Sequence, residues 1–149
     1  MPGIFSSNGS RPSISIVNKF SAGGYSVGSI NNVLGKEILT GALTADTYAT
    51  ILEVTSGPGF LTILSVVAND TTARTLTIKL TIDGTEIFEA TSDSITSADT
   101  GIIVLGTYEG AGILSDANGR PWKTSLKIEV KSSLSETDKS TVYVAYDLT

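Results

Sequence analysis

The chain has no histidine and no cysteine among its 149 residues. Without histidine it lacks the commonest general base, the commonest zinc ligand and the usual partner of a serine or cysteine nucleophile. Without cysteine it has no disulfide framework and no thiolate metal site. Charge is scarce as well: charged residues make up 17% of the chain, against about 25% in an average globular domain. No apolar run approaches the roughly 18 residues a membrane-spanning helix requires. Met1-Pro2-Gly3-Ile4 offers neither the cationic nor the apolar stretch of a secretion signal, so none is expected. The net charge of −5 and a pI near 4.6 argue against nucleic acid and anionic lipid as partners.

Neutral polar residues take the place of charge. There are 19 Ser and 20 Thr, and Thr concentrates in runs alternating with apolar residues, where its branched Cβ suits a pleated strand. The length fits one domain, large enough to bury roughly 68–70% of the surface its unfolded form exposes.

Composition changes near Gly35. Of residues 1–35, 20 are Gly, Ser, Asn or Pro, and the only charges are Arg11 and Lys19, a net of +2. Residues 36–149 carry 8 basic and 15 acidic side chains, a net of −7. The division is therefore an extended N-terminal arm, residues 1–35, ahead of an acidic domain, residues 36–149. Such an arm buries too little apolar area to offset its ordering entropy by itself. It is nevertheless no plain linker, because Ile4, Phe5, Ile14, Ile16, Val17, Phe20, Tyr25, Val27 and Ile30 punctuate it. Two expectations stand: these side chains anchor the arm on a neighbouring protein, or the arm packs on its own domain.

From Lys36 onward the pattern is β. Thr75 to Ile82 alternates without a fault, placing Leu76, Ile78, Leu80 and Ile82 on one face. Asp83-Gly84 follows as a two-residue hairpin signal, with Glu86 to Glu89 returning. Further strands are expected at Ile51–Val54, Phe60–Val67, Ile102–Leu105 and Leu126–Lys131, with Val142, Val144, Tyr146 and Leu148 on one face of the last. Glu37 to Leu43 fits a turn of helix or a short strand equally well. Seven to nine strands in a domain of this size predict an all-β, antiparallel two-sheet sandwich. The long segments Thr91–Gly101 and Thr107–Arg120 suit the crossovers of a jelly roll. An immunoglobulin-like sandwich is the alternative, weakened by the absence of a Cys–Trp–Cys pattern.

Few residues carry a chemical signal. Asp93 and Asp99 flank hydroxyls in one loop, and Ser115 to Arg120 resembles the start of a cation-binding turn, yet neither has the acid spacing calcium requires. Asp and Asn in turns usually bond their own backbone. Lys123, Ser125 and Lys127 would share one face of a strand, an arrangement read as solvated rather than as a Ser–Lys catalytic pair. Gly57-Pro58-Gly59 lacks the lysine and following helix of a phosphate loop. Tyr25, Tyr48, Tyr108, Trp122, Tyr143 and Tyr146 are the candidates for a sugar-stacking platform. No catalytic residue, cofactor or metal is expected, and the chain does not read as an enzyme.

The segment from Ile51-Leu52-Glu53-Val54-Thr55-Ser56-Gly57-Pro58-Gly59-Phe60-Leu61, through Asn69-Asp70-Thr71-Thr72-Ala73-Arg74-Thr75-Leu76-Thr77, to Thr81-Ile82-Asp83-Gly84 resembles small virion proteins of tailed bacteriophages. That group includes head decoration (cement) proteins and head- or tail-fibre modules. The resemblance implies a β-sandwich associating as a homotrimer, placed on the outer capsid surface of the virion and bound to the major capsid protein or another virion protein. It makes Ile4, Phe5, Arg11, Ile14, Ile16, Val17, Lys19 and Phe20 the candidate capsid-binding residues of the arm. A fibre or receptor module binding glycans is the other function it implies.

Overall fold

A computed structural model describes residues 34–106 and 119–149, and every regular element in them is a strand. In chain order these are β1 (Leu34–Leu39), β2 (Ala42–Leu43), β3 (Ala49–Val54), β4 (Gly59–Ala68), β5 (Leu76–Ile82) and β6 (Thr85–Thr91). They continue with β7 (Ile102–Leu105), β8 (Arg120–Trp122), β9 (Leu126–Ser132), β10 (Glu136–Thr137) and β11 (Ser140–Leu148). The expected anchors Ile4, Phe5, Arg11, Ile14, Ile16, Val17, Lys19 and Phe20 all lie outside the described residues. Glu37 to Leu43, open between helix and strand in sequence, forms the end of β1 and all of β2.

Two antiparallel sheets result. Sheet I runs β1, β11, β4, β7, with β8 also on β4; sheet II runs β3, β9, β5, β6. On the far edge of β4, β7 pairs with Leu64–Val66 and β8 with Gly59–Leu61, so the two share that edge end to end. A small ribbon joins β10 to β2.

The pairing is nested. β5 pairs β6, β4 pairs β7 and β8, β3 pairs β9, and β1 pairs β11. A long antiparallel hairpin has in effect been rolled across two sheets, which is the jelly-roll arrangement. The immunoglobulin alternative fails on this point, because its first strand lies in a sheet ordered A, B, E, D, whereas here the first described strand lies against the last.

Periodicity explains the core. Leu76, Ile78, Leu80 and Ile82 of β5 and Leu126, Ile128 and Val130 of β9 point inward from sheet II. Leu61, Leu64, Val66, Val104, Val142, Val144 and Tyr146 meet them from sheet I. Each such side chain stabilises the fold by roughly 1.5–3 kcal/mol relative to exposure. The β5–β6 connection is the expected two-residue turn: Asp83 and Gly84 adopt φ of 51° and 81°, between the paired residues Ile82 and Thr85, as a type I′ hairpin requires.

One end of the sandwich is closed by Trp122, whose indole N–H donates to the Gly57 carbonyl at 2.8 Å and whose ring lies 6.1 Å from that of Tyr146. Glycine is required at 59, where a Cβ would stand 2.4 Å from both the Trp122 ring and the Asp147 carbonyl. The other end is closed by charge, around Arg74.

Candidate functional site

Three clusters of polar chemistry are built among the described residues. Arg74, 2% exposed, pairs with Asp70 at 2.5 Å and Glu136 at 2.8 Å and donates to the Lys139 carbonyl at 3.2 Å. Its own backbone bridges Ile95. Arg74 thus fastens the β4–β5 loop to the β6–β7 loop through its backbone, and to β10 and the β10–β11 turn through its guanidinium. Arg74, first of all, then the Thr72 N–H and Lys139, hold the Asp70 carboxyl below its ordinary range.

Asp83 makes the second cluster. Its carboxylate accepts from the backbone N–H groups of Lys123, Thr124 and Ser125 at 2.7–3.0 Å, and from the Thr124 hydroxyl at 3.0 Å. These donors, the Thr124 and Ser125 N–H groups foremost, pull it down to about 2. The expectation that Lys123, Ser125 and Lys127 share a strand face is corrected here. β8 ends at Trp122 and β9 begins at Leu126, and the residues between curl around the Asp83 carboxylate from the neighbouring hairpin.

The third cluster covers the outer face of sheet II. Lys79 lies 3.8 Å from Glu129 and 3.9 Å from Glu86, and Lys127 lies 3.5 Å from Glu129. Tyr48 lies across them, its ring centroid 4.0 Å from the Lys79 ammonium and 4.7 Å from that of Lys131, while its hydroxyl donates to Glu89. This face is wetted and locked by alternating charge.

No three His, Cys, Asp or Glu side chains gather into a metal-binding group among the described residues. Asp99 accepts from the Thr96 N–H at 2.7 Å and from its hydroxyl at 3.0 Å, so it braces its own loop. The described aromatics form no shared platform: Trp122 and Tyr146 are buried, Tyr48 belongs to the sheet II face, and Tyr143 to the opposite one. Tyr25 and Tyr108 lie outside the described residues.

The outer face of sheet I has a different chemistry. Leu39 is 55% exposed, Ile63 40% and Tyr143 37%, the large apolar side chains that stand out among the described residues. Register makes them neighbours. Leu39 is opposite Thr141, Tyr143 lies between Glu37 and Ser65, Ile63 is opposite Ala145, and Ser65 faces Ile103. Val67 and Ile103, both half-buried, extend the patch. Of the described charged residues in β1, β4, β7 and β11, register puts only Glu37 and Asp147 on this outer side. Asp147 is fully buried there, opposite Phe60. Sequence reasoning misses this surface, because its residues come from separate strands.

No protein family matches the sequence, nor does any curated protein. Solved viral particles do show a likeness. A chain in the structure of the infectious bursal disease virus Gx strain is similar with a TM-score of 0.37 and 14% identity, covering 92% of this chain. A chain of the T13 IBDV viral particle is similar with a TM-score of 0.37 and 16% identity, again over 92% of this chain. This chain spans 37% and 35% of the length of those two.

Proposed function

We propose that this protein is a virion structural component, a capsid decoration or cement protein that binds and stabilises a phage head through its N-terminal arm and its sandwich. The observation that carries the proposal is the contrast between residues 1–35, acid-free and net +2 with apolar anchors, and residues 36–149, net −7. Multivalent attachment follows, since arm and body binding together raise the effective concentration of each contact. Apolar anchors then matter more than Arg11 and Lys19, because exposed ion pairs contribute only about 0–1 kcal/mol.

The experiment is co-sedimentation with capsids lacking the protein. The full chain should bind and raise the temperature at which capsids rupture, while a chain deleted of residues 1–33, which leaves β1 whole, should stay folded and fail to bind. Undiminished binding by the truncated chain removes the arm from the mechanism. Retention on a glycan array, abolished by Tyr143→Ala, would favour a receptor-binding module instead.

A further inference from the structure

We propose that the bend at residues 123–125 is a receptor for a small carboxylate, and that the Asp83 side chain is its resident occupant. The inference stands on the geometry around Asp83 and is independent of the assembly proposal.

The donors converge on one oxygen. Asp83 Oδ1 accepts the N–H groups of Lys123 at 3.0 Å, Thr124 at 2.7 Å and Ser125 at 3.0 Å, and the Thr124 hydroxyl at 3.0 Å. Oδ2 shares the Lys123 N–H, also at 3.0 Å. Successive backbone N–H groups turned to one side make an anion-binding concavity. Carboxylates in turns usually bond backbone close by in sequence, and two others in this chain do so. Asp70 accepts from the Thr72 N–H, and Asp99 from the Thr96 N–H. Asp83 instead fills a cluster of donors centred 41 positions away.

The receptor is set by the fold rather than by its occupant. It lies where the chain passes from β8 in sheet I to β9 in sheet II. On one side Trp122 is 2% exposed and its indole is tied to the Gly57 carbonyl. On the other, Leu126 is fully buried and paired with both Val54 and Ile82. A further tie comes from backbone alone, since the Asp83 N–H donates to the Ser125 carbonyl at 2.9 Å. That bond survives replacement of the side chain. The φ of 51° at position 83 suits glycine at least as well as aspartate. Asp83→Gly therefore keeps the turn and the bend while emptying the receptor.

Chemistry defines the ligand class. Every donor is an N–H or O–H, and Lys123 brings a positive charge to the same three residues, so an anionic oxygen on a small head is what fits. Formate and acetate present the oxygens of Asp83 without its tether. Their few atoms limit them to affinities of about the millimolar range or weaker. In the intact chain the tether gives Asp83 an effective concentration of at least that order. Free carboxylates are thereby kept out, and the β5–β6 turn stays fastened to the β8–β9 bend.

The test is amide NMR on the full-length Asp83→Gly chain, titrated with sodium formate to about 100 mM and, separately, with sodium chloride at equal ionic strength. Formate should shift the Lys123, Thr124 and Ser125 amide resonances saturably and raise the thermal midpoint. Chloride should do neither, and the unsubstituted chain should show no such shifts in formate. Adding Thr124→Val to Asp83→Gly should weaken formate binding about tenfold, because a hydrogen bond to a charged group is lost. Should the glycine variant be unfolded in chloride, return of the native spectrum in formate alone is the equivalent result. Equal responses to formate and chloride, no response to either, or the same formate shifts in the unsubstituted chain overturn the receptor. None of these outcomes involves a capsid, so failure here is separable from failure of the decoration proposal.

Discussion

Asp83 shows how one side chain can determine the course of a distant segment. It sits at positive φ in a hairpin turn, and its carboxylate satisfies the N–H groups of three consecutive residues some forty positions later. Those donors favour the ionised form, so the folded-state pKa, about 2, lies below the ordinary value of 3.8. The sign follows directly: the contribution is fully present above the unfolded value and is lost as pH falls from about 4 towards about 2. Asp83→Asn should therefore lower the thermal midpoint near pH 7 and flatten its decline over that acid range, checked by melting both proteins from pH 2 to 7. Arg74 makes the opposite kind of case, a buried cation holding two acids. Arg74→Ala leaves the Glu136 carboxylate nearly buried, at 6% side-chain exposure, without its guanidinium. The expected loss is about 3–5 kcal/mol in a denaturant titration.

Among the elements, β5 and β9 bury their alternate side chains without interruption. Leu80 is fully buried between the sheets, and Leu80→Ala should cost about 2–5 kcal/mol by chemical denaturation. Thr81→Ala, one position along on the outer side, should stay within about 0.5 kcal/mol. This contrast is visible in the sequence, since strict alternation and Asp83-Gly84 are local signals and local signals specify β5, β6 and β9. Elements fixed by distant partners are harder to see. Residues 37–39 become strand because β1 lies against β11, and residues 42–43 because β2 lies against β10, each about a hundred positions away, and nothing near Glu37 encodes that. The curl of Lys123 to Ser125 depends likewise on a carboxylate in another hairpin. The apolar outer face was hidden for a third reason. Ile63 falls within Phe60–Val67, a run that reads as buried on both sides, and register alone sets it near Tyr143 and Leu39.

At the scale of the whole molecule, the two outer faces differ in chemistry: sheet II carries ion pairs, whereas sheet I exposes Leu39, Ile63 and Tyr143.

The nested pairing also has a meaning in time. β11, inside sheet I, is the last of the described strands in chain order, and both of its neighbours come long before it. Sheet II can begin early from the local β5–β6 hairpin, but sheet I must wait for residues 140–148, and non-local pairing of this kind folds in milliseconds to seconds rather than microseconds.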